Sequence, residues 1–258
     1  MQAVFITGAS SGIGAALAAA YAEQGASLGL VARRGEQLQQ LRASLAHPER
    51  HSVYALDVND HAALAAAAAD FLAKSGRVQV VIANAGISVG TLSAEPADLA
   101  VFERVVATNL TATVATFTPF IAAMQNYAAD TPCRLVGIAS VAGIRGLPGA
   151  AAYSASKAAV ISYCESLRVE LKRSGIRVVT LAPGYIDTPM TGKNAYTMPF
   201  LMPVQRFATL ALQTIARGRS YRVIPWQMGL VAKLLRLLPN WLYDWAMQKA
   251  PHKARADG

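Results

Sequence analysis

Tyr153 and Lys157 stand four residues apart in the run YSASK, with only small residues between them. On a helix, positions i and i+4 share a face about 5–6 Å apart. A phenol beside an ammonium in that geometry is either an acid with a charge that adjusts its pKa, or two surface groups that happen to meet. A second group of residues could hold phosphate. TGASSGIG (7–14) has Gly8, Gly12 and Gly14 where a strand-like run gives way to a helical one. Glycines there let the backbone turn tightly and approach a pyrophosphate set against the amide-rich helix N-terminus. The strand-then-helix context separates such a loop from a simple turn.

A third group chooses the cofactor. The run ASLGLVA is followed by Arg33 and Arg34, and Ala32 stands where an acid would suit a free ribose 2′-hydroxyl. A guanidinium fork suits a 2′-phosphate, so NADP(H) is expected. The alternative is that both arginines are simply solvated at a helix start.

These residues need a frame. Apolar, β-rich runs predict strands over 3–7, 26–32, 52–58, 78–83, 134–139 and 176–182, with a strand-like YRVIP at 221–225. Helical spacing predicts helices over 13–24, 35–46, 62–74, around 97–128 and over 152–174. The alternation implies an α/β fold with a doubly wound parallel sheet, which binds ligands beyond the carboxyl ends of its strands. The 258 residues suit one large domain, and 53% hydrophobic residues can fill its core. Val105 to Ala129 carries no charge and is long enough to span a bilayer, but its threonines, amides and Pro119 fit a buried helix better. No signal peptide is read at the N-terminus. Cys133 and Cys164 form no CxxC pair and the four histidines show no ligand spacing, so no metal is expected.

In order along the chain, these motifs resemble the short-chain dehydrogenase/reductases, over roughly residues 2–225. The resemblance implies a Rossmann-type sheet of about seven strands with helices on both faces, followed by a helical extension over 226–258. It implies catalysis by Asn109, Ser140, Tyr153 and Lys157. Ser140 would bond the substrate oxygen, Tyr153 would deliver the proton, Lys157 would hold the ribose, and Asn109 would anchor a water chain. The cofactor would lie on Gly8, Ser10, Ser11, Gly12, Ile13 and Gly14. Arg33, Arg34, Asp57 and Val58 would hold its adenosine end, and Asn84, Ala85 and Gly86 its ribose. Pro183, Gly184, Ile186 and Thr188 would flank the nicotinamide. One small departure is Ala83, where many members carry a second Asn. Bringing a phenol's pKa from about 10 to about 7 takes about 4 kcal/mol of preferential phenolate stabilisation, which Lys157 and the oxidised nicotinamide would supply.

Substrate and location are read from the last third. Met190, Met198, Phe200, Leu201 and Met202 suggest an apolar lid over an apolar carbonyl compound, or plain packing. The formal net charge of +9 is concentrated at the end: from Lys193 onward stand 10 of the 24 Lys/Arg and 2 of the 15 Asp/Glu. Residues 226–250 alternate Leu and Val with Lys233 and Arg236, and Pro239 precedes Trp241, Tyr243 and Trp245. Such a segment suits the plane of a membrane surface, its own domain or a second subunit. The expected function is NADPH-dependent carbonyl reduction. The alternatives are 3-oxoacyl reduction on an acyl carrier protein and an NADP-sensing protein without turnover. No nucleic-acid motif accompanies the charge. A homodimer or tetramer is expected, in the cytoplasm or peripheral on the inner face of a membrane.

Overall fold

Apolar runs of four to seven residues, most of them buried on both sides, pair side by side because only a covered parallel sheet leaves them no wet face. In the computed structural model, which describes residues 2–192, 194 and 196–248, they form one sheet. Its strands are β1 (Ala3–Thr7), β2 (Ser27–Ala32), β3 (Ser52–Ala55), β4 (Val80–Ala83), β5 (Arg134–Ile138) and β6 (Arg177–Pro183). Two short strands, β7 (Ile186–Asp187) and β8 (Met202–Pro203), pair with each other, and β9 (Tyr221–Ile224) completes the large sheet. The order is β3-β2-β1-β4-β5-β6-β9, and every pairing is parallel. The chain winds one way from β1 and the other way from β4. Between their carboxyl ends lies the crevice that such a sheet offers to a ligand.

The strands' alternation splits the core in two. Phe5, Val81 and Leu135 face α3 (His61–Ser75), α5 (Ala112–Gln125) and α6 (Ala151–Glu170). Val4, Ile82 and Val136 face α1 (Gly12–Glu23), α2 (Gly35–Ser44) and α7 (Val204–Ala216). The last described elements are α8 (Trp226–Leu237) and α9 (Asn240–Met247), broken at Pro239 as expected. The remainder of the expected extension, 249–258, lies outside the described residues.

Two expectations change. The strand expected over 52–58 stops at Ala55, because Asp57 Oδ1 accepts from the Asn59 backbone and side-chain nitrogens, both at 2.9 Å, and turns the chain. The helical stretch around 97–128 is one run, α4 (Asp98–Val106) continuing into α5 through a π-turn at Ala107–Thr111. Its 28 residues are long and apolar enough to cross a membrane. Here the run packs against α3, α6 and β4, with Phe117, Phe120 and Met124 fully buried.

Candidate active site

The glycine-rich loop between β1 and α1 is built by what it cannot tolerate. A Cβ on Gly14 would lie 2.2 Å from the Gly8 carbonyl oxygen and 2.6 Å from Asn84 Nδ2, so any side chain there would push the first turn of α1 off the loop. Gly8 and Gly12 hold φ of +66° and +54°, the left-handed region that glycine enters without strain. Thr7 ties the loop to β4: its hydroxyl accepts from the Asn84 and Ala85 nitrogens at 3.1 and 3.2 Å. Asn84 Nδ2 returns bonds to the Thr7 and Gly8 carbonyls at 3.0 and 3.1 Å. Ile13 packs against the α1 side of the core.

The two arginines after β2 divide their work. Arg34 Nη2 donates to Ser10 Oγ and Ser11 Oγ, at 3.0 and 2.9 Å, reaching back across the strand ends to the loop. Arg33 points the other way, its Nη1 3.8 Å from Asp57 Oδ2, with both side chains well exposed. That pair adds about 0–1 kcal/mol, and a stronger anion would displace it. Val58, next to Asp57, is buried in the core.

The phenol and ammonium do share the α6 face. Lys157 Nζ lies 5.9 Å from the Tyr153 ring centroid and donates to the Ile138 carbonyl at 2.8 Å. Lys157 is 4% exposed, and burial pulls its pKa down to about 8. Ser140 follows β5; its Oγ accepts from the Ala142 nitrogen at 3.2 Å and hydrogen-bonds the Tyr153 phenol. Burial pushes the Tyr153 phenol up, and the Ser140 bond opposes that. The lowering expected for this phenol is therefore not produced by the protein's own groups. At rest the phenol is protonated, the form that donates.

Asn109 sits in the π-turn, fully buried. Its Oδ1 accepts from the Ile87 nitrogen at 2.8 Å, and its Nδ2 donates to the Ile87 carbonyl at 3.0 Å and to Ser156 Oγ at 2.9 Å. Ser156 in turn donates to the Tyr153 carbonyl at 2.8 Å, joining Asn109 to the helix that carries the phenol. A π-turn inside a helix often marks a functional position. Gly86 completes the group: a Cβ there would be 3.1 Å from Asn109 Oδ1 and 3.4 Å from Lys157 Nζ.

Beyond β6, Pro183 and Gly184 lead into β7, where Ile186 is buried, and then Thr188. A Cβ on Gly12 would stand 3.3 Å from Thr188 Cβ, so this loop lies against the glycine-rich loop between β1 and α1. Thr191 Oγ1 accepts from the Thr188 nitrogen at 3.0 Å and fixes the turn. The expected lid is partly aromatic. Tyr185 and Tyr196 meet edge to face at 6.3 Å, and Tyr196 is within electrostatic reach of Tyr153. Met202 is buried in β8, whereas Met190, Phe200 and Leu201 are exposed. Lys193 and Ala195 of this segment lie outside the described residues.

The helical pair α8–α9 is fastened to the Ser140 loop. Arg145 Nη1 donates to the carbonyls of Leu235, Arg236 (3.2 Å) and Leu238 (2.8 Å), and Nη2 to Asn240 Oδ1 at 3.1 Å. Its guanidinium stacks 3.9 Å from the Tyr243 ring centroid, and the Tyr243 hydroxyl donates to the Gly146 carbonyl. The inner face of α8 meets the loop after β6, where a Cβ on Gly184 would lie 2.7 Å from Met228 Cγ.

The structure thus gathers Asn109, Ser140, Tyr153, Lys157 and Gly86 at one end of the sheet, and the glycine-rich loop of residues 7–14 beside them. Sequence reasoning missed Thr7, Ser156, Gly143, Tyr185, Tyr196 and Arg145. Ser156 had a signal, since it lies inside YSASK three residues after Tyr153, a spacing that turns a serine back to that carbonyl. Gly143 had none: a Cβ there would lie 2.6 Å from the Lys157 carbonyl carbon, a contact across the fold. Among the described residues, no group of three His, Cys, Asp or Glu could hold a metal.

A family model described as short chain dehydrogenase matches residues 2–198. An uncharacterized oxidoreductase of Myxococcus xanthus is 36% identical, over 96% of this chain and 97% of its own. An uncharacterized oxidoreductase of Mycobacterium tuberculosis is 40% identical, over 92% of both chains. Among solved structures, a 3-ketoacyl-(acyl-carrier-protein) reductase from Brucella melitensis, complexed with NADH, is 26% identical with a TM-score of 0.77, over 86% of this chain and 96% of that one.

Proposed function

The chain belongs to the short-chain dehydrogenase family of oxidoreductases, and from that premise we propose that it reduces the carbonyl of an apolar small molecule, using NADPH and Tyr153 as proton donor. The observation that carries the reading is the Tyr153 phenol, held protonated by burial and bonded to Ser140 beside the buried Lys157 ammonium.

The residues fit a nicotinamide dinucleotide. Gly14 leaves no room for a side chain between the loop and Asn84, as close backbone approach to a pyrophosphate requires. Gly8, Ser10, Ser11, Gly12 and Ile13 would hold the phosphates, and residues 84–86 the adenosine ribose. Arg34 and Arg33 favour a 2′-phosphate over a free hydroxyl, because Ala32 offers no acceptor and the guanidiniums offer charge. Asp57 and Val58 would meet the adenine, and Pro183, Gly184, Ile186 and Thr188 would flank the nicotinamide.

Bound NADPH supplies the hydride. Ser140 donates to the substrate carbonyl oxygen and strengthens that bond as negative charge grows there. Tyr153 gives that oxygen its proton. Lys157 stabilises the resulting phenolate, and its depressed pKa lets it pass on a proton in turn. Asn109 keeps the path behind Lys157 in register through Ser156 and Ile87. Tyr185 and Tyr196 close the substrate side with aromatic rings, which suits an apolar substrate. The likeness to a 3-ketoacyl-(acyl-carrier-protein) reductase, together with the basic last quarter, supports a second reading, a 3-oxoacyl thioester on an acidic carrier. A dimer through α5 and α6 is supported by the small outward residues Ala155, Ala158 and Ser162 beside exposed Val169. A monomer by light scattering at micromolar concentration sinks the dimer.

The test is NADPH oxidation by the purified chain against ketones and aldehydes of increasing length, including 3-oxoacyl thioesters, with NADH as control. Turnover should rise with chain length, prefer NADPH and vanish in Tyr153→Phe while NADPH binding persists. Tight NADPH binding without turnover across the whole panel would favour a cofactor-sensing protein instead.

A further inference from the structure

A helix docked on a soluble domain normally turns a polar face to water. On α8 most of that face is apolar. Its inner face, Met228, Gly229 and Ala232, is buried. Its outer face is Trp226, Leu230, Leu234 and Leu237, spaced by about one turn each and 69%, 53%, 56% and 80% exposed. On α9, Trp241 and Trp245 share a face at i and i+4, 72% and 70% exposed. All three tryptophans of the chain are thus presented to solvent on one helical pair. The pair is not a loose tail, since Arg145 and Tyr243 hold it in place.

The apolar surface continues past α8. Trp226 lines a cleft of about 330 Å³ with Phe200, Leu201, Arg206 and Arg222. Among the described residues no ion pair engages either arginine, and Gln227 Oε1, on the wall of the same cleft, is buried without a hydrogen-bond partner. Lys233 and Arg236 are exposed beside the apolar stripe, and Asp244 is the one acid from Trp226 to Gln248.

We propose that the α8–α9 face and the adjoining Phe200–Leu201 edge dock on the surface of an anionic lipid bilayer, with the helices in the plane of the headgroups. Charge selects this occupant. A symmetric contact between two copies sets the same patch against itself. It would bring Lys233, Arg236, Arg206 and Arg222 of each copy toward the same positive set. An anionic bilayer complements them, takes the leucines below its headgroups, and seats tryptophan at the interface. At 12 residues, α8 is about 18 Å long, too short to cross a core of about 30 Å, so it lies flat.

The tryptophans make the test direct, and it needs no turnover. The full chain is titrated with phosphatidylcholine vesicles and with vesicles containing phosphatidylglycerol, and tryptophan emission is recorded. The proposal expects a saturable blue shift with the anionic vesicles, quenching by brominated acyl chains, and weakening as salt is raised. The double variant Leu234→Glu/Leu237→Glu should lower vesicle affinity by about tenfold or more, the loss expected when a large apolar side chain no longer leaves water. Its NADPH binding should persist, which shows that the variant is folded. Emission unchanged by either vesicle would overturn the proposal. So would lipid-free emission that is already blue and shifts with protein concentration, since a second copy would then cover the face.

Discussion

Replacing Lys157 by Met should stabilise the cofactor-free protein, by an amount that depends on pH in a defined way. Lys157 is almost fully buried, and burial lowers its pKa from 10.5 to about 8. At 1.36 kcal/mol per unit, holding the ammonium there costs about 3 kcal/mol while it is charged in both states. Below pH 8 the folded and unfolded chains both keep the proton, and the whole penalty applies. Between pH 8 and 10.5 the folded chain has released it and the unfolded chain has not, so stability rises with pH. Above that window the penalty is gone. The Met variant has no such titration. Its advantage over the wild type should therefore shrink by about 3 kcal/mol between pH 7 and pH 10.5. The lost bond to the Ile138 carbonyl costs about 1–3 kcal/mol at every pH, so it moves the offset and leaves the slope alone. Urea unfolding of both proteins at a series of pH values measures the difference. A difference that stays flat with pH would refute the claim that Lys157 is desolvated. A slope of opposite sign would mean that a carboxylate holds it.

Three further outcomes are expected. Arg34→Ala should raise the KM for NADPH by about 10- to 100-fold, the scale of a lost charge-assisted contact, and leave NADH nearly unchanged; equal losses for both would remove Arg34 from the 2′-phosphate. Asn109→Ala strips the Ile87 amide and Ser156 of their partners, so it should cost about 3 kcal/mol, seen as a fall in Tm of several degrees, and an unshifted Tm would show that water replaces the amide. Gly143→Ala forces the Ser140 turn away from α6 and should cut kcat by about a hundredfold with NADPH binding intact; full activity would show that the turn can slide without consequence.

The frame was legible because its signals are local. Val80–Ala83 has to be covered on both faces wherever it occurs, and Gly8, Gly12 and Gly14 mark a turn before any partner is known. Tyr153 and Lys157 were legible for the same reason, being one helical turn apart. What was hidden depends on pairs distant in sequence. Arg33 and Arg34 read as one guanidinium cluster, yet Arg34 reaches Ser10 and Ser11 while Arg33 turns to Asp57, a division made by the strand ends. The π-turn that sets Asn109 is invisible in ATNLT, because its hydrogen bonds are chosen by packing against α6. The phenol's resting state was also out of reach, since burial of Tyr153 is a property of the closed fold.

The anchor of α8 has a consequence for how this surface can change. Arg145 binds the carbonyls of Leu235, Arg236 and Leu238, which every residue type except for its side chain supplies alike. The grip is therefore indifferent to which side chains α8 carries outward. Leu230, Leu234 and Leu237 can be exchanged, in the laboratory or over generations, without loosening the helix from the loop that follows Ser140. The scaffold can be refitted for a different surface while the chemistry beneath it keeps its geometry.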